Sequence, residues 1–234
     1  FFFTQTPAYA MLRSLVGSEM CIRDRIHIDC RQELLDWSKY DLTKDEVYVV
    51  DYMFPGWFVH HVHDMVMTGY NWFWGHTSGY AEDGRDVGAD PTWEEAPALK
   101  QQIFPPDRND IAQDSAFKMI YSAVMNTLPF EVELGEIMIN GQQWIHNTTP
   151  HQDCVCDNGI SFCYYVNQHW EPDWGGQLMV KLNDEWQGID PAPGRVIFFK
   201  GNIWHHGLPP NEKYRGLRSS LVYKTMRTVP LPSK

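Results

Sequence analysis

His151 and Asp153 stand two residues apart, and His205 follows 52 residues after Asp153. Two imidazoles and one carboxylate form the ligand set that holds a non-haem Fe(II) on one face of an octahedron and leaves the opposite positions open. Residues two apart on an extended chain project from the same face, so His151 and Asp153 can reach one ion. His206 competes with His205 for the third place. Adjacent strand residues face opposite sides, so only one of the two belongs, and His205 is preferred. Further on lies Arg218-Ser219-Ser220. Strand alternation puts Arg218, Ser220, Val222 and Lys224 on one face. A guanidinium fork there suits one carboxylate of a second, bidentate metal ligand. Arg215 is the alternative anchor, but it lacks the x-Ser that follows Arg218.

Other metal-ligating residues converge less well. His60, His63 and Asp64 share or border a helical face, yet nothing else in the sequence joins them, and a solvated helix face is the expectation. Cys154-x-Cys156 is too tightly spaced for an ordinary zinc knuckle, and no second pair follows. The five Cys are irregularly spaced and odd in number, which does not describe a disulfide framework. Reduced thiols in a cytoplasmic protein are expected.

The elements that must position these residues change character along the chain. Val47–Met53 is a β-rich run ended by Pro55-Gly56. Trp57–Met67 places Phe58, Val62, Met65 and Val66 on one helical face. Residues 69–110 lack a period and are expected to be irregular. The aromatic stretch from Tyr70 to Trp74 within them is a groove candidate, but more simply core. Ile111–Asn126 is the best helix, with Asp110 as cap, Pro129 as stop, and Ile111, Ser115, Ala116, Met119, Ile120 and Ala123 sharing a face. After Pro129 short β-prone segments follow: 131–139, 161–166, 178–182, 195–200 and 219–224. Gly175-Gly176, Pro193-Gly194 and Pro209-Pro210 mark turns between them. Short strands with turn signals about every ten residues indicate a sandwich or jelly roll.

Bulk properties narrow the function. The 234 residues suit one domain, and 10 Trp, 11 Tyr and 12 Phe can fill a large core. No run approaches the ~18 apolar residues of a membrane span. The net charge of −11 argues against a nucleic-acid partner, because phosphate binding needs a basic face. Residues 1–25 show no period and resemble a translated sequencing-adapter segment, so they are set aside as non-native or disordered. Without them the charge is −12. The expected organisation is a single domain over 26–234, with a helical and irregular support region at 26–130 and a jelly-roll core at 131–228.

With these residues in place, a family resemblance can be stated. His151-Gln-Asp153, then Ser161-Phe-Cys-Tyr-Tyr-Val-Asn167, then Trp170 to Gly176 resembles the prolyl 4-hydroxylase-like branch of the Fe(II)/2-oxoglutarate-dependent oxygenases. Pro193–Phe199 is similar to the strand that leads to the second metal His. Leu217–Lys224 is similar to the strand with the co-substrate base, and Asn140-Gly-Gln142 resembles a subgroup motif. The resemblance implies a mainly β fold with flanking helices, built on a double-stranded β-helix (jelly-roll) core with an N-terminal α/β support region. It implies that His151, Asp153 and His205 bind Fe(II) and form the catalytic centre. It implies that Arg218, helped by Tyr165 and Ser220, binds the distal carboxylate of 2-oxoglutarate. The residues around the proximal carboxylate stay unassigned. The cofactor set is Fe(II), 2-oxoglutarate and O2, with ascorbate as an optional reductant. The implied activity is hydroxylation of a peptidyl-prolyl, amino-acid or small-molecule substrate, with release of succinate and CO2. The carboxylate of Asp153 favours hydroxylation over halogenation, since related halogenases carry a small residue there. The rival readings are a non-catalytic jelly-roll metal-binding protein and a nucleic-acid demethylase of the same superfamily. No membrane partner is expected, and oligomeric state is left open.

Overall fold

The computed structural model describes residues 25–33, 35–40, 44, 46–69, 72–76, 98–104, 115–146 and 148–228. The expectations for residues 1–24, for Asp110 as a cap and for Cys21 lie outside them. Arg25, the last residue of the segment set aside, opens β1 (Arg25–Asp29), which pairs in parallel with β2 (Val47–Asp51).

The remaining strands are β3 (Phe73–His76), β4 (Ala98–Phe104), β5 (Val132–Gln142), β6 (Gly159–Tyr165), β7 (Leu178–Leu182), β8 (Glu185–Ile189), β9 (Val196–Lys200), β10 (His205–Gly207) and β11 (Arg218–Arg227). An eight-stranded sheet runs β1-β2-β9-β6-β11-β5-β4-β3, and a three-stranded sheet runs β10-β7-β8. The two sheets make the jelly-roll core, and the helices α1 (Gly56–Gly69) and α2 (Ser115–Met125) flank it.

Period-two alternation divides the large sheet into an outer and an inner face. On the outer face Phe162, Tyr164, Phe198, Leu221 and Tyr223 pack with Phe58, Val62 and Val66 of α1 and with Ala116, Phe117, Ile120 and Val124 of α2. On the inner face Cys163, Tyr165, Ile197 and Phe199 meet Leu178, Val180, Leu182 and Ile189 of the small sheet. Each large apolar side chain removed from water in this way contributes about 1.5–3 kcal/mol.

Three expectations need correction. The stretch 69–110 is not irregular throughout, because it holds β3 and β4, and β4 pairs antiparallel with β5. The free edge of β5 supplies hydrogen bonds to a segment with no local strand pattern, and tertiary pairing outweighs propensity. The buried face of α2 is rotated from the expected one: Phe117 and Val124 are fully buried, while Met119 is 50% exposed. The bulkier, more apolar Phe117 takes the core position. The metal-ligand pair does not lie on a continuous strand either. His151 forms a single antiparallel bridge to His205, and Asp153 follows in a bend.

Strands β8 and β10 escaped the sequence reading. Asn183 and Asp184, both at positive φ, form the two-residue turn that returns β7 into β8, the geometry of a primed hairpin turn. Among the described residues no helix is long and apolar enough to cross a membrane.

Candidate active site

The backbone places the two imidazoles first. His151 N–H donates to the His205 carbonyl at 3.0 Å, and His205 N–H donates to the His151 carbonyl at 2.9 Å. A directly opposed pair of this kind sets the side chains next to each other, and the ring centroids are 4.5 Å apart. Each ring is then oriented by its own neighbourhood. His151 Nδ1 lies 2.9 Å from the Thr149 carbonyl, and His205 Nδ1 lies 2.9 Å from the Ile203 carbonyl. A carbonyl can only accept, so each Nδ1 carries a proton and each ring is turned with its Nε2 toward the shared site.

Asp153 completes the trio. Its carboxylate oxygens lie 3.8 Å from His151 Nε2 and 3.5 Å from His205 Nε2, and the three ligand atoms all fall within 4.8 Å of one another. Ser161 Oγ donates to Asp153 Oδ2 at 2.6 Å, and Lys224 Nζ lies 3.1 Å from Oδ1. Burial, then the neighbouring His205, drives the His151 imidazole down to about 3, so it is neutral. Burial would raise the Asp153 carboxyl, but Lys224, the two imidazoles and Ser161 outweigh it and hold the group ionised. Two imidazoles whose Nε2 atoms converge on one ionised carboxylate are the donor set a non-haem Fe(II) takes. His206 faces away and meets the Trp186 ring edge-on at 5.1 Å, as strand parity requires. His60, His61 and Asp64 are exposed on α1.

Arg218 opens β11 on the same inner face and is 2% exposed. Nε donates to the Gly176 carbonyl at 2.9 Å, Nη1 to Gln142 Oε1 at 2.7 Å, and Nη2 to the Tyr165 hydroxyl at 3.3 Å. A guanidinium has five N–H donors, so among the described residues two are left over. The motif residues around it build its socket. Asn167 accepts from Ser219 N–H through Oδ1 and donates to the Leu217 carbonyl through Nδ2, strapping the chain on either side of Arg218. Gly176 sits at φ +79°, and a Cβ there would stand 2.8 Å from the Trp170 ring. Trp170 itself donates to the Gly175 carbonyl at 3.1 Å. Burial, against the pull of Arg218, pushes the Tyr165 hydroxyl up to about 12, so it stays neutral. Ser220 is buried in register with Tyr165. Arg215 is exposed and lies over the Trp144 ring instead.

The structure thus brings together His151, Asp153 and His205, and beside them Arg218, Tyr165 and Ser220 on the same inner face. It adds Ser161, Gln142, Asn167, Glu136 and Lys224, whose roles were not read from the sequence. For Lys224 the signal was present in its parity with Arg218. Cys154 and Cys156, expected as free thiols, are joined as a disulfide directly after Asp153. Their two-residue spacing lets the sulfurs meet across one turn.

The sequence profile of the 2OG-Fe(II) oxygenase superfamily matches residues 141–223. No curated protein matches the chain significantly. Among solved structures, a Pseudomonas putida prolyl-4-hydroxylase is 19% identical, with TM-score 0.52, over 81% of this chain and 96% of that one. A Trichoplax adhaerens prolyl hydroxylase, in complex with a hypoxia inducible factor oxygen degradation domain peptide fragment, is 15% identical, with TM-score 0.57, over 84% and 89%. A Burkholderia pseudomallei oxidoreductase of the 2OG-Fe(II) oxygenase family is 14% identical, with TM-score 0.60, over 86% and 95%. At these identities the likeness speaks for the fold. The chain therefore matches the profile of the 2OG-Fe(II) oxygenase superfamily over residues 141–223, and its fold is similar to that of these solved structures over more than four fifths of its length.

Proposed function

We propose that this protein is an Fe(II)- and 2-oxoglutarate-dependent hydroxylase acting on an amino-acid, peptidyl-prolyl or other small-molecule substrate, with succinate and CO2 as co-products. The observation that carries this reading is the convergence of two carbonyl-oriented imidazoles and one ionised carboxylate, with a buried arginine on the same inner face. When bound, iron and 2-oxoglutarate supply the activation of O2 that inserts one oxygen atom into a substrate C–H bond.

The chain's own residues do the positioning. His151, Asp153 and His205 would hold the metal. Arg218 and the Tyr165 hydroxyl fix the distal carboxylate of the co-substrate, with Ser220 beside them. The Thr149 and Ile203 carbonyls keep the imidazole tautomers that a metal requires. The prolyl hydroxylase names among the structural neighbours support a hydroxylation without identifying the acceptor.

The test is O2 uptake by the purified protein with Fe(II). Uptake that depends on 2-oxoglutarate and releases succinate is expected, together with a product one oxygen heavier when a substrate is supplied. Absence of 2-oxoglutarate-dependent uptake and of succinate overturns the proposal.

A further inference from the structure

Resting on that reading of the site, we propose that Lys224 and Glu136 are its substrate-recognising pair, and that the substrate is a free amino acid. Exposure along the inner face of β11 sets the direction of entry. Arg218 is 2% and Ser220 3% exposed, whereas the Lys224 side chain is 27% and the Glu136 side chain 21% exposed. The inner face of β11 is sealed at Arg218 and opens partly to solvent at Lys224. The ligand trio lies next to that opening, since Lys224 touches Asp153 and the His151 side chain is 16% exposed.

Lys224 and Glu136 are in register across β11 and β5, and Ser161 lies opposite Lys224 on β6. The register of β11 on β5 shifts directly after Lys224, and such bulges beside sites re-aim a side chain. An ammonium has three N–H donors. Among the described residues two are taken, by Asp153 at 3.1 Å and Glu136 at 3.3 Å, which leaves the third for an incoming acceptor. A metal bonded to Asp153 would compete with Lys224 for the same carboxylate, leaving the ammonium less satisfied and better able to bind an anion.

A free amino acid brings a carboxylate for Lys224 and an ammonium for Glu136. A prolyl residue inside a peptide brings neither, and setting neutral amides against this ion pair would desolvate the charges without replacing what they lose.

The test is calorimetric binding, without O2, to the protein loaded with Fe(II) and 2-oxoglutarate. The ligands are the standard free amino acids, their N-acetyl amides and a capped prolyl peptide. At least one free amino acid should bind, with its carboxamide about tenfold or more weaker, as expected for loss of a charge-assisted hydrogen bond. Lys224→Met should erase that ratio. Glu136→Gln, which leaves Lys224 in place should the first variant not fold, should erase the preference for an amino acid over its 2-hydroxy analogue. Equal binding of free and capped ligands, persistence of either preference in its variant, or no binding by any free amino acid overturns the proposal. Binding of 2-oxoglutarate alone is measured first. If the wild-type protein fails to bind it, the hydroxylase reading falls and this proposal with it. If it binds but no discrimination appears, only the substrate class falls.

Discussion

Arg218 donates to three acceptors of different kinds: a backbone carbonyl, an amide oxygen and a phenol. A lysine keeps the charge but cannot span that fan and still offer two parallel donors to a carboxylate. Arg218→Lys should therefore raise the KM for 2-oxoglutarate about tenfold or more, at ~1.5–3 kcal/mol per charge-assisted bond. Arg215→Lys, changing an exposed residue over Trp144, should leave it unchanged, and steady-state kinetics of both variants decides. The imidazoles allow a similar contrast. His151→Ala, Asp153→Ala or His205→Ala should weaken Fe(II) binding by more than the roughly 10–100-fold that loss of an outer partner costs. His206→Ala should retain the metal, because its ring lies against Trp186. Metal titration of the four variants checks this, and loss of iron in His206→Ala would reassign the third ligand.

The strands and helices show which parts of this structure could be read in advance. Segments β2, β7 and β9 were legible because short β-prone apolar runs are bounded there by turn residues. The His-x-Asp and the later His were legible as a set of metal-ligand residue types, and the inward parity of β11 was legible from strand alternation. Strands β3 and β4 were not, since what makes them strands is the edge of β5 beyond them and not their own pattern. The Asn167 strap and the Gln142 contact to Arg218 were hidden for a related reason. Each joins residues far apart in sequence, and only the folded register brings them together. Helix α2 was found but turned about its axis, which gives an element-scale prediction. Ile120→Ala, at a fully buried position, should cost about 2–5 kcal/mol of unfolding free energy. Met119→Ala, on the exposed side, should stay within about 0.5 kcal/mol. Denaturant unfolding of both variants would expose a wrongly assigned face if Met119→Ala proved the costlier.

Across the whole molecule, one ion pair ties the edge of the large sheet to its interior. Asp51 at the end of β2 accepts from Arg195 Nε and Nη2 at 2.7 and 2.8 Å, just before β9 begins, and from His27 of β1 at 2.6 Å. Burial would raise the Asp51 carboxyl, but Arg195 and then His27 outweigh it, so its folded value lies below the ordinary 3.8. Stability from this group is therefore fully present above that pH and is lost as pH falls through the lower folded value. Asp51→Asn should make acid unfolding below about pH 4 less steep than in the wild type, as followed by circular dichroism. The large sheet also has a centre that is made late. Strand β11 sits between β6 and β5, yet Arg218 lies 76 residues beyond the Gln142 it contacts. During synthesis β5 and β6 leave the ribosome well before the strand that joins them, each with an unpaired edge. Closing such long loops before any pairing rewards it slows folding, and open strand edges invite pairing with other chains. The nascent chain is thus most exposed to aggregation in the interval between emergence of β6 and arrival of β11, and a chaperone that shields strand edges would act in that window.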